Sequence, residues 1–145
     1  MTSVEQSFVA WAKMRARRLR PVKLGIGDDA AVVENRASDT VLTTDTLLEG
    51  THFDLGQCAA VQVGRKAVLV NLSDLAAMAA EPDAILLTVC LPNHGSGERT
   101  ADALAAELFE GVCEVCEQYQ LALAGGDTNC WNGPVAISVT ATGYP

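Results

Sequence analysis

The chain has 145 residues, is 49% hydrophobic and 19% charged, and carries a net charge of −8. That length supports one ordinary domain with a real core, and the composition excludes wholesale disorder. Its apolar runs fall short of the roughly 18 residues that a membrane span needs, so no membrane partner is expected.

In chain order, a first helix is expected over Val4 to Arg18, with Ser3 as its cap and Val4, Phe8, Val9 and Ala12 as its apolar stripe. Pro21 ends it. Gly25 to Asp29 reads as a turn, leading into a short strand from Ala30 to Glu34. Thr40 to Leu48 is rich in β-branched residues and predicts the next strand. Cys58 to Ala80 predicts a long helix, apolar almost all round from Ala67, which Glu81-Pro82 closes. Ala84 to Leu91 predicts a strand, Pro92 to Gly97 a loop, and Glu98 to Tyr119 a helix with Leu104, Leu108, Val112 and Val115 at helical spacing. Leu121 to Ala124 predicts a strand running into a Gly125-Gly126-Asp127-Thr128 turn. Asn129 to Pro134 predicts a loop, and Val135 to Gly143 a last strand. This order predicts an α+β fold: a mixed, largely antiparallel sheet covered by helices on one face.

The five cysteines are odd in number, and the Cys113/Cys116 pair lies inside a helical pattern with no second pair to complete a zinc site. They read as structural or surface thiols. With no continuous apolar core near the N-terminus to act as a secretory signal, a cytoplasmic protein is expected.

Charge is unevenly placed. Six of the ten basic residues fall between Lys13 and Lys23, whereas Leu24 to Pro145 holds four basic residues against seventeen acids. So acidic a body does not neutralise a nucleic-acid backbone with its side chains, and no nucleic-acid partner is expected. The basic stretch reads as the solvated face of the first helix.

Several aspartates stand where apolar elements meet turns: Asp28, Asp29, Asp45 and Asp127. Asp74 sits inside the apolar run Ala67 to Ala80. Singly, each turn aspartate fits a cap or an Asx-turn. A carboxylate in an apolar run must be paired, hydrogen-bonded or metal-bound, and basic partners are few. Together the aspartates point to a shared cluster of hard cations, and oxygen-only ligands favour Mg²⁺ over Zn²⁺. Thr43 and Thr44, beside Asp45, add hydroxyl and carbonyl oxygens to such a shell. Gly125-Gly126-Asp127-Thr128 lets backbone approach a ligand closely, although it is no Walker A sequence. His52 and His94, taken alone, read as surface or packing residues.

Four motifs occur in order: Gly25 to Val32 (GIGDDAAV), Thr43 to Phe53 (TTDTLLEGTHF), Val70 to Ala80 (VNLSDLAAMAA) and Gly125 to Thr128 (GGDT). In this arrangement the chain resembles the N-terminal half of the aminoimidazole ribonucleotide synthetase superfamily, and within it the thiamine-monophosphate kinase family. The resemblance implies transfer of the γ-phosphoryl of ATP onto the phosphate of thiamine monophosphate, with several Mg²⁺ ions holding the phosphates. It implies metal ligation by Asp28, Thr43, Thr44, Asp45, Asp74 and Asp127, ATP contacts at Gly126 and Asp127, and substrate contact at His52, with Asp29 ranked lower. It implies one N-terminal ATP- and Mg²⁺-binding domain over residues 1–145, a homodimer whose sheets pair into a barrel, and a C-terminal domain that this chain does not contain, leaving it without full activity. A sister enzyme on the same scaffold, or a non-catalytic dimerisation module, are the alternatives. The longer Asn129 to Asn132 stretch after GGDT departs from the family pattern, as does Ala79-Ala80 in place of Gly-Ala.

Overall fold

The computed structural model describes residues 4–16, 19–27, 31–34 and 39–145. The elements are α1 (Val4–Arg15), β1 (Val22–Leu24), β2 (Val32–Val33), β3 (Val41–Leu48), α2 (Ala60–Ala77), β4 (Glu81–Pro92), α3 (Ala101–Tyr119), β5 (Ala122–Trp131) and β6 (Ala136–Tyr144). Four strands form the main sheet in the order β3-β6-β4-β5. The β3–β6 and β6–β4 ladders are antiparallel, and β4–β5 is parallel. β1 and β2 pair separately. The mixed sheet with helices on one face is as the sequence predicts.

Alternation along β4 and β6 sets the core face. Ile85, Leu87, Val89, Leu91, Ile137, Val139 and Ala141 are buried against the helices. α2 and α3 close over them with Val63, Val68, Leu75, Leu104, Leu108, Val112 and Val115. The two helices approach closely at Gly64 and Gly111. A Cβ on Gly64 would collide with the Leu108 carbonyl, and one on Gly111 with the Val61 carbonyl. This crossing brings the backbones together because neither residue carries a side chain. α1 lies against α3, with Phe8 and Phe109 ring centroids 5.7 Å apart, edge to face. Arg15 fixes its end, pairing with Glu110 and Glu117 at 2.6 Å each.

Several boundaries differ from expectation. The expected cap Ser3 lies outside the described residues. α2 ends at Ala77, with Met78 as its cap and Ala79 at φ 54°, so the chain turns before Glu81. Glu81 and Pro82 therefore open β4 and do not close the helix. Pro82 is tolerated because it stands at the strand's start, beside a register shift between Pro82 and Ala84. α3 starts at Ala101, where Thr100 accepts a hydrogen bond from the Ala103 N–H at 3.3 Å. Gly125-Gly126-Asp127-Thr128 is no turn. β5 runs through it, and through Asn129 to Trp131, because the parallel ladder to β4 continues to Pro92 opposite Trp131. Val22 to Leu24 forms a strand that the sequence reading did not anticipate.

Candidate functional site

Two of the expected ligands meet. Thr43 pairs across the sheet with buried Ala141, so its side chain lies on the helix-covered face. From there the Thr43 hydroxyl donates to Asp74 Oδ2 at 2.8 Å, although the residues are 31 apart in sequence. Asp74 is thus not buried in its apolar run. It sits exposed on α2, on the side that faces the β3 edge. Asp45, two residues along β3, shares the face of Thr43 and pairs with Val139. Thr44 points to the opposite face, where its hydroxyl lies 3.0 Å from that of Thr140.

The turn after β3 carries His52. Glu49 anchors it on β6: the Glu49 N–H donates to the Val135 carbonyl, and Glu49 Oε2 accepts from the Val135 N–H, both at 3.0 Å. The His52 N–H donates to the Leu48 carbonyl at 2.9 Å. Glu49 was not singled out in the sequence; its place in Glu49-Gly-Thr-His52 was the available signal.

The other expected residues sit at the far edge. Gly126 and Asp127 lie on β5 beside Leu87 and Thr88. Gly126 is on the helix side, where a Cβ would collide with the Leu87 carbonyl. Asp127 is exposed beside it and accepts from Asn129 Nδ2 at 2.6 Å. Gly25 packs against the same edge: a Cβ there would lie 3.1 Å from the Ala124 carbonyl oxygen. The Gly25 motif therefore joins GGDT at the β5 edge. Asp28 and Asp29, which continue it, lie outside the described residues. Behind β5 a cavity of about 140 Å³ opens between the sheet, α1 and α3, walled by Phe8, Ala12, Val89, Phe109, Leu123 and Gly126.

One register row spans both edges: Asp45, Val139, Leu87, Gly126. Three inter-strand steps of about 4.8 Å put those edges about 14 Å apart. A single chain therefore does not gather Asp45, Asp74 and Asp127 around one ion cluster. Among the described residues, no three His, Cys, Asp or Glu side chains are grouped to hold a metal. The motifs divide in two, with Thr43, Asp45, Asp74 and His52 near β3 and Gly25, Gly126 and Asp127 near β5.

Asn71, also missed, is fully buried on α2. Its Nδ2 donates to the Ala67 carbonyl at 3.0 Å, while Oδ1 has no partner among the described residues. A polar residue in the run Ala67 to Leu72 was the signal that could have found it.

Known proteins resemble this chain in both sequence and fold. A family model described as AIR synthase related protein, N-terminal domain, covers residues 27–144. The chain belongs to this family. Among curated relatives, the thiamine-monophosphate kinase of Rhodopirellula baltica is 40% identical over 149 residues, covering 97% of this chain and 46% of the relative. That of Escherichia coli K12 is 36% identical, covering 99% and 42%. The crystal structure of thiamine-monophosphate kinase from Stenotrophomonas maltophilia superposes with a TM-score of 0.76 at 35% identity, covering 99% of this chain and 42% of that one. AaThiL complexed with AMPPCP and TMP gives 0.65 at 36% identity, covering 81% and 36%. Escherichia coli HypE, at 15% identity and a TM-score of 0.73, shares the fold. The chain spans under half the length of the kinases it matches.

No helix among the described residues is long and apolar enough to cross a membrane.

Proposed function

We propose that this chain is the ATP- and Mg²⁺-binding N-terminal domain, residues 1–145, of a thiamine-monophosphate kinase. The enzyme transfers the γ-phosphoryl of ATP to the phosphate of thiamine monophosphate in the cytoplasm. The observation that carries this reading is the meeting of Thr43 and Asp74 at 2.8 Å, in a chain 36–40% identical to proteins of that name.

The donor set fits the metal. Thr43, Asp45 and Asp74 offer hard oxygens and no sulfur or imidazole, as Mg²⁺ prefers. Bound there, Mg²⁺ would neutralise phosphate charge that this acid-rich chain does not neutralise with Lys or Arg. Asp28, Thr44 and Asp127 complete the set of ligands in this reading. Gly126 gives phosphates close access to backbone, and the adjoining apolar cavity suits a flat heterocycle such as the nucleotide base. His52 contacts the substrate phosphate. The protein supplies placement: two polyanions repel, and holding them in line is the main catalytic task.

A homodimer is part of this reading, and the 14 Å division supports it. The sheet face opposite the helices exposes Leu42, Leu48 and Leu86. Pairing this face with that of a second copy, as a barrel, would set the β3 edge of one chain beside the β5 edge of the other. The half-sites would then complete each other. The part of the longer kinases beyond the matched residues would supply further contacts in this reading.

The test is calorimetry of AMPPCP binding to the folded chain with and without Mg²⁺, alongside sedimentation. Mg²⁺-dependent binding by a dimer is expected. A folded chain that binds no AMPPCP in the presence of Mg²⁺, or binds it equally without, would overturn the reading.

A further inference from the structure

The imidazole of His52 is held at one nitrogen. Its Nδ1 accepts the Leu48 N–H at 3.0 Å, so Nδ1 is unprotonated and the proton of the neutral ring sits on Nε2. Nε2–H then has no partner among the described residues, on an exposed side chain. The hydrogen bonds from the Thr51 and His52 N–H groups to the Leu48 carbonyl and from the Gly50 N–H to the Phe53 carbonyl shape the turn internally. They do not tie its His52 end to the helix layer. Lys66 does: from α2 its ammonium donates to the His52 carbonyl at 2.6 Å.

We propose that Lys66 is a positioning residue that braces the His52 carbonyl, so that the imidazole keeps its Leu48 bond and presents Nε2–H outward as a neutral donor for a phosphate oxygen. The chemistry favours this division of labour. The ammonium is a strong, charge-assisted donor with two further N–H groups, and it spends one on backbone. The ring, with Nδ1 occupied by the Leu48 N–H, donates through Nε2. The phosphate part of the proposal rests on the reading of His52 as a substrate residue; the brace does not.

The chain has two histidines, His52 and His94, so ¹⁵N-histidine labelling gives two ring systems, and His94→Gln assigns them. A long-range ¹H–¹⁵N spectrum at pH 8 is expected to show His52 with Nε2 protonated and Nδ1 bare. In Lys66→Met the ring should become a mixture of tautomers, and Lys66→Arg should restore the single form. Thiamine monophosphate should shift the His52 signals, and its affinity should fall about three- to tenfold in Lys66→Met, the range of one lost hydrogen bond, and recover in Lys66→Arg. A Lys66→Met spectrum superimposable on the wild type overturns the brace. A tautomer change that Lys66→Arg reverses, with thiamine monophosphate leaving wild-type His52 unmoved, supports the brace and removes the substrate role of His52 instead.

Discussion

Thr43 on β3 and Asp74 on α2 are joined by a 2.8 Å hydrogen bond in which the hydroxyl donates to the carboxylate. It links the edge strand to the helix that covers it. It also leaves the second Asp74 oxygen available to a cation.

Asp74→Asn keeps an oxygen that accepts from Thr43 and removes the charge. Mg²⁺-dependent AMPPCP affinity is expected to fall at least about tenfold, since a charged acceptor is lost. The melting temperature should stay close to wild type because the side chain is exposed. Thr43→Val should weaken binding less. Calorimetry and thermal melts of the same samples separate the effects; unchanged affinity in Asp74→Asn would remove this residue from the metal site.

Gly126 and Asp127 are neighbours with different sensitivities. In Gly126→Ala the new methyl meets the Leu87 carbonyl, which forces the β4–β5 ladder apart. A loss of about 2–3 kcal/mol of stability is expected, as for an overpacked core. Asp127→Asn should leave stability within about 0.5 kcal/mol, as at most surface positions, and reduce nucleotide binding. Denaturant titration of both variants checks the contrast.

The Arg15 pairs predict an acid-side dependence. The Arg15 guanidinium, hydrogen-bonded to Glu110, holds that carboxyl below its ordinary 4.5. A depressed folded-state pKa stabilises above the unfolded value and is lost as pH falls through the folded one. Arg15→Met should therefore be less stable than wild type at pH 7, and the two should converge as the pH falls below 4.5 and through the lowered folded-state value of Glu110. The half-exposed geometry limits the difference to about 1 kcal/mol. Urea unfolding across pH 3 to 7 measures it; a gap that persists at pH 3 would assign the effect to lost packing on α3.

The thiols should react in an order set by burial. Burial pushes Cys113 up to about 11 and Cys116 up to about 12, whereas Cys130 is exposed. At pH 8 almost no thiolate exists at the helical pair. Iodoacetamide with peptide mapping should label Cys130 first, and label Cys113 and Cys116 only on unfolding.

Much of this protein is local and was legible in the residues. Helical spacing gave α3, a long apolar run gave α2 and β-branched content gave β3, each to within three residues of its ends, because these signals lie in neighbouring positions. Motif order predicted the family, and the acid-rich, base-poor body pointed to hard cations, which the resemblance tied to phosphates. Less legible were the glycines of GGDT, which look like a turn because isolated glycines favour one. They form a strand because β4 lies alongside, and only that parallel ladder makes the absent side chains an advantage. Strand order is likewise a matter of pairing between distant segments, which no local period encodes. It decided that Thr43 would find Asp74 and that Asp127 would lie at the opposite edge. The sequence named the candidate groups; the sheet, by separating its edges by three strand widths, determined that they fall into two separate clusters.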